Sequence, residues 1–259
     1  MSSWNQQSRP HAIKNEAVIC AIALHEERYI DEWIAYHLKL GFYHIFIYDN
    51  SDNYVLQHRK SDRVSVLHHP GKAKQLEVYN LFVLHYKRKF KWAAFIDIDE
   101  FIVLKKHKTI MDLLHAYDDC STLVLHWRMF GTNHEVIYRD EPVTKRFQKC
   151  STQLHHHFKS ICQLQHIHNY SSPHMPTLVQ HKHAMNTSRS VIQSLYEYDG
   201  PSDIACIHHY YTKSEQEFRE KIGRGRADIP EKRNITDVDD IHQKNNDVVN
   251  DDAWIQYTS

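Results

Sequence analysis

Glycine and proline are scarce in this chain of 259 residues, six and seven respectively. So few glycines leave little room for phosphate-cradling loops. Neither G-x-G-x-x-G nor G-x-x-x-x-G-K-[ST] occurs, which disfavours dinucleotide oxidoreductases and P-loop ATPases. The five cysteines, Cys20, Cys120, Cys150, Cys162 and Cys206, form no C-x-x-C pair and are odd in number. They read as reduced core thiols and not as a disulfide framework. No apolar run approaches the roughly 18 residues a membrane span needs, and the opening stretch MSSWNQQSRPHAIKNE is polar, so no signal peptide or anchor is expected. An excess of one charge is also missing, with 32 Lys+Arg against 32 Asp+Glu. Without a global basic field, no nucleic-acid partner is expected. These absences together point to a soluble, cytoplasmic protein.

What is present suits a single globular domain: 41% of residues are apolar, and the apolar runs are short and regularly interrupted. The 23 histidines are mostly scattered singly, not at metal-finger spacing. Ala17 to Leu24 is a continuous apolar run of the kind that forms a strand buried on both faces. Tyr29 to Leu40 places Ile30, Trp33, Ile34, His37 and Leu38 on one helical face, and Gly41 follows as a C-terminal glycine would. Tyr43 to Tyr48 and Arg63 to Leu67 read as strands, about Lys72 to Lys89 as a helix, and Trp92 to Ile96 as a fourth buried strand. This alternation predicts an α/β fold with a mixed, mainly parallel sheet flanked by helices.

In such a sheet ligands belong at the carboxyl ends of the strands. His25-Glu26, Asp49-Asn50, His68-His69 and Asp97-Asp99 fall at four successive strand ends, so they are expected along one crevice. Further on, a helix from Thr109, a strand over Ser121 to Phe130 and another over Asp203 to Tyr211 are expected. Ser214 and Glu217 form a capping box for a helix to about Ile222. Beyond Arg226 apolar residues thin out. The division expected is a polar tail over 1–14, the folded domain over 15–228 and a loosely packed polar appendage over 229–259.

Asp97, Asp99 and Glu100 end a hydrophobic strand, repel one another and need a compensating cation. A hard divalent ion, Mn²⁺ or Mg²⁺, suits oxygen ligands of this kind. A second Asp-x-Asp, Asp237 and Asp239, stands in polar sequence and reads as solvated surface.

Five ordered stretches carry a resemblance. They are ALHEERYIDEWIAYHLKLGFYHIFIYDN at 23–50, QLEVYN at 75–80, WAAFIDIDEFI at 92–102, WRMFGT at 127–132 and HYYTKSEQEFREKIGRG at 209–225. Together they resemble glycosyltransferase family 92, and the similarity implies a GT-A, Rossmann-like fold over about residues 15–228. It further implies metal-dependent, inverting transfer of a sugar from a nucleotide-diphosphate donor, a UDP-sugar by first choice, to a hydroxyl of a glycan or glycoprotein acceptor. By the same resemblance, Asp97 lies toward the ribose or a metal-bound water, Asp99 binds the metal, and His209 is an additional ligand. Donor contacts are expected at His25, Glu26, Asp49 and Gln75. Lys159, Lys213, Lys221 and Arg224 are candidates to stabilise charge on the departing diphosphate.

Inversion requires a general base on the face opposite the leaving group. In GT-A enzymes it tends to follow the strand after the metal motif, which makes Glu135 the first candidate and Asp140 the second. Trp127 and Phe130 are candidates to stack on a sugar ring. Two other readings stand beside this one: a metal-dependent phosphohydrolase or nucleotidyltransferase, and a nucleotide-sugar-binding module without turnover.

Overall fold

The computed structural model describes residues 12–224 and 240–259. The start of the polar tail and the Asp237/Asp239 pair lie outside them. In chain order the elements are β1 (Lys14–Ala23), α1 (Ile30–Lys39), β2 (His44–Asp49), β3 (Val64–His68), α2 (Gln75–Tyr86), β4 (Phe90–Phe95) and β5 (Glu100–Leu104). There follow α3 (Ile110–Ala116), β6 (Thr122–Met129), α4 (Val143–Arg146), β7 (Lys149–Cys150), β8 (Phe158–Gln163) and β9 (Ile167–Asn169). The remainder are β10 (Thr177–Leu178), β11 (Ala184–Met185), β12 (Val191–Ile192), β13 (Ala205–His209), α5 (Glu215–Arg224), β14 (Val248–Val249) and α6 (Asp252–Thr258).

The main sheet runs β12-β11-β6-β8-β4-β1-β2-β3, with β13 joining β6 to β5. Strands β4, β1, β2 and β3 are parallel neighbours, as their apolar runs predict. Strand β8 is antiparallel to both β4 and β6, so its first residues arrive at the edge where β4 and β6 end.

Successive side chains of a strand point to opposite faces, and β1 serves two cores in that way. Ala17, Ile19, Ala21 and Ala23 join a cluster with Ile30, Trp33 and Tyr36 of α1 and with Ile110, Leu113 and Leu114 of α3. Val18, Cys20 and Ile22 join Val78, Tyr79, Phe82 and Val83 of α2. The result is helix, sheet, helix, with each fully buried aliphatic side chain contributing about 1.5–3 kcal/mol.

Helix ends follow local chemistry. Gly41 takes φ +98° after α1, the left-handed conformation that glycine adopts without a Cβ penalty. Thr109 and Asp112 form a reciprocal capping box at α3, and Ser214 and Glu217 form the predicted one at α5. All five cysteines are buried and unpaired.

The expectation of a loosely packed appendage needs correction over 240–259. Strand β14 pairs with β7, Ala253 of α6 sits in the larger core, and Gln256 accepts from the Leu104 N–H and donates to the Ile102 carbonyl. Gln256, the small Ala253 and the half-buried Tyr257, whose ring lies 5.9 Å from that of Tyr36, make this contact, and so few apolar residues leave no hydrophobic periodicity to mark it. No helix among the described residues is long and apolar enough to cross a membrane.

Candidate active site at the carboxyl edge of the sheet

The chain leaving β4 delivers Asp97, Asp99 and Glu100 to the sheet edge, and four other elements supply the groups that meet them. Lys159 of β8 reaches Asp97 Oδ2 at 3.0 Å and Glu100 Oε2 at 3.9 Å. Gln75, opening α2, donates from Nε2 to Asp97 Oδ1 at 2.7 Å. Lys221 of α5 donates to Asp99 Oδ2 at 2.5 Å, and His209 Nε2, ending β13, lies 3.5 Å from Asp99 Oδ1. Six of the residues singled out from sequence therefore converge: Gln75, Asp97, Asp99, Lys159, His209 and Lys221.

Burial sets the charges here. It would raise Asp99, but Lys221, His209 and Lys213 hold the carboxyl well below the usual carboxylate range. Burial lowers His209 more than Asp99 raises it, so at neutral pH the imidazole is uncharged and Lys221 is the main counter-cation of Asp99. Glu100, with a side chain fully out of solvent, is pushed well up by burial, and Lys159 offsets this only in part. Lys159 itself is drawn above the usual lysine value by Asp97 and Glu100, although burial acts the other way.

A cleft of about 280 Å³ opens beside Lys221, lined also by His25, Glu27, Arg28, Tyr29, Thr212, Lys213, Glu217 and Glu220. Its size sits just under the roughly 300–1,000 Å³ of drug-sized ligand pockets, so it matches a compact charged group. His25 and Lys213 on its wall both have φ of 56°, a left-handed conformation that costs non-glycine residues of order 1–3 kcal/mol and clusters at ligand sites. Lys213 lies with Nζ 4.3 Å from the centre of the Tyr29 ring. Glu26 is buried, and its carbonyl accepts the N–H groups of Tyr29 and Ile30, which starts α1.

Other sequence candidates stand elsewhere. Asp49 is fully buried, and its oxygens accept from Ser51 and the Leu56 N–H. Asn50 donates to the His69 and Gly71 carbonyls. Both therefore staple the loops after β2 and β3 and do not face the cleft. Glu135 is engaged by Arg146 at 2.9 Å and by Arg139, whereas Asp140 is exposed and accepts from the Tyr138 hydroxyl at 3.1 Å. Phe130 is fully buried against His208 and Tyr210, so it belongs to the core, while Trp127 packs with its ring 4.4 Å from that of His209. The side chain of Arg224, at the end of α5, lies outside the described residues.

Sequence reasoning missed the Arg146 network. This guanidinium, with no exposed side-chain area, bridges Glu135 and Glu217, and Glu217 also accepts from Tyr29 at 2.8 Å. No local pattern marks Arg146, because its partners are 11 and 71 positions away.

A mainly parallel sheet between helices, with a carboxylate and lysine cluster beside a charged cleft at its carboxyl edge, defines a GT-A-like protein. The chain belongs to glycosyltransferase family 92, whose family model matches residues 16–245. A family 92 protein of Oryza sativa subsp. japonica is 31% identical over 105 residues, covering 38% of this chain and 18% of the relative. One from Ricinus communis is 24% identical over 226 residues, covering 83% of this chain and 38% of the relative. An Arabidopsis thaliana member is 26% identical over 113 residues, or 41% of this chain and 20% of the relative. The chain thus spans less than two fifths of the length of these relatives.

Proposed function

We propose that this chain transfers a sugar from a nucleotide-diphosphate donor, a UDP-sugar by first choice, to a hydroxyl of a glycan or glycoprotein acceptor, with inversion and with Mn²⁺ or Mg²⁺. The observation that carries the reading is the buried Asp99, flanked by His209 and by Lys221, which lines a cleft together with Lys213 and Arg28. Family membership supports the reaction class.

The residues fit a divalent ion. A neutral His209 and an ionised Asp99 face each other at 3.5 Å, beyond hydrogen-bond length, with Nδ1 of His209 buried and without a hydrogen-bond partner among the described residues. With its proton moved to Nδ1, a neutral His209 would turn the Nε2 lone pair toward Asp99 at a separation that suits adjacent ligands of one ion, which stand about 3.0–3.5 Å apart. Lys221 keeps the other Asp99 oxygen, so Asp99 and His209 would hold the ion and Asp97 would serve the ribose or a metal-bound water. When bound, the ion would neutralise the departing diphosphate. Lys213 and Lys221 add fixed positive charge in the cleft, where it needs no reorganisation as the bond breaks.

Of the proposed bases, Glu135 must leave Arg146 to accept a proton, and Asp140 need not. The unpaired buried thiols support work in a reducing compartment such as the cytoplasm. A melting-temperature screen of nucleotides and nucleotide sugars with and without Mn²⁺ tests the reading, because a ligand of the native state raises the midpoint. Uridine diphosphate should stabilise the wild type only with Mn²⁺, and Asp99→Asn should abolish that increment. An unchanged increment in the variant refutes the site. Sugar 1-phosphate and nucleoside monophosphate formed without any acceptor would instead favour a phosphohydrolase.

A further inference from the structure

We propose that His155, His156 and His157 form a binding site for a borderline divalent transition ion, Zn²⁺ in the first place, separate from the Asp99 centre. One ring nitrogen from each of the three imidazoles lies within 4.8 Å of the other two. Nδ1 of His155 and Nδ1 of His157 are 3.1 Å apart. Ligands about 2.0–2.1 Å from a tetrahedral Zn²⁺ stand about 3.3 Å from one another, so two of the three nitrogens already hold nearly that spacing. His156 must swing its ring inward to complete the set, which a half-buried side chain permits.

The backbone presenting these rings is fixed. The His155 N–H donates to the Trp127 carbonyl at 2.8 Å and the Trp127 N–H donates to the His157 carbonyl at 3.1 Å. These two bonds continue the β6·β8 ladder by one residue pair, so His155 and His157 project from a held segment and stack with rings at 13°. Preorganised ligands of this kind lose little freedom on binding. A fourth imidazole, His174, stands with its ring 4.6 Å from that of His157. Its Nδ1 meets the Phe158 carbonyl at 3.0 Å, and since a carbonyl only accepts, that nitrogen carries the proton. A ligating histidine is commonly oriented in this manner.

Three imidazoles without a carboxylate select Zn²⁺, Cu²⁺ or Ni²⁺ over Mg²⁺ and Mn²⁺. Without an ion, Nδ1 of His155 accepts from the His157 backbone N–H at 3.2 Å and from Nδ1–H of the His157 ring at 3.1 Å, bonds that an ion would displace. Binding places both protons on the Nε2 atoms and both Nδ1 lone pairs on the metal. The ion would also fix the segment that brackets Trp127.

The test uses the full chain freed of metal with a chelator, then titrated with Zn²⁺ against a chromophoric competitor. Wild-type protein should take up one tight equivalent. A His155→Ala/His157→Ala variant should lose at least about tenfold in affinity, and His156→Ala should weaken binding in the same direction. Asp99→Asn should keep the equivalent, which separates this site from the proposed donor site whether or not the transferase reading stands. Each variant's melting temperature in chelator should match its metal-free parent, so that lost binding is not lost folding. Titration with Co²⁺ should give the intense visible bands of tetrahedral nitrogen coordination in the wild type and in Asp99→Asn, and not in the His155→Ala/His157→Ala variant. An equivalent that vanishes in Asp99→Asn and survives in the histidine variants overturns the proposal. So do several weak equivalents spread over the many histidines and indifferent to these substitutions.

Discussion

Replacing Lys159 by methionine removes the cation paired with Asp97 and Glu100 while keeping most of the side-chain volume. Lys159 has 1% of its side chain exposed and pairs with Asp97 at 3.0 Å and Glu100 at 3.9 Å. Breaking a buried pair by deleting one partner costs about 3–5 kcal/mol, because the other charge is left uncompensated. Asp97, with 34% of its side chain exposed, rehydrates, so the loss should sit near the lower figure, about 3 kcal/mol. In a chain of this size that is about 6–12 °C of melting temperature.

The loss should depend on pH in a defined direction. Glu100 is raised in the folded protein above its ordinary 4.5, so between those two values the native state binds more protons than the unfolded chain. Stability from this group therefore falls as pH rises through the window. Removing Lys159 raises Glu100 further and extends the window upward. Urea unfolding of both proteins from pH 5 to pH 8, a range of our choosing, should show a difference that is smallest at the acid end and grows by at most about 1.4 kcal/mol per pH unit. Equal stability of the two proteins, or a difference that is flat across that range, would refute the account of the Lys159 cluster.

His209→Ala should weaken Mn²⁺ affinity more than His208→Ala, because β13 turns the two side chains to opposite faces, with His208 packed against Phe130 and His209 against Trp127; equal effects in a metal titration sink the assignment. If a carboxylate following β6 is the base, Asp140→Asn should lower kcat by about 10²–10⁴-fold with donor binding unchanged, and Glu135→Gln should instead lower the melting temperature by loosening Arg146. Unfolding without reductant should expose five titratable thiols, since every cysteine is buried and unpaired; finding two or four of them paired in protein from its native source contradicts a reducing compartment.

The fold was readable where local rules suffice. Short apolar runs located β1, β2, β3 and β4, Gly41 marked the end of α1, and Ser214 with Glu217 marked the start of α5. That Asp97 and Asp99 reach the ligand edge was readable too, because strand ends of a parallel sheet share an edge, whereas His209 was reached through family resemblance. Asp49 stands at a strand end by the same rule, and there its oxygens serve the turn at Ser51 and Leu56. Lys159 was reachable only through family resemblance, since nothing local says that β8 runs opposite to its neighbours. Arg146 and the α6 contacts had no sequence signal, because their partners lie far along the chain.

The reversed strand between β4 and β6 also sets an order of events during folding. Residues 158–163 are threaded between two strands that precede them in the chain, so the sheet stays in two pieces until this segment docks. Closing that gap requires pairing across long stretches of chain, which makes it a slow step relative to the local β1–α1–β2 unit. Because Lys159 rides on this strand, Asp97 and Glu100 acquire their counter-ion in the same event that joins the two pieces. A half-folded chain would therefore display uncompensated acid at the sheet edge, and ion binding there would report completion of the sheet in a refolding experiment.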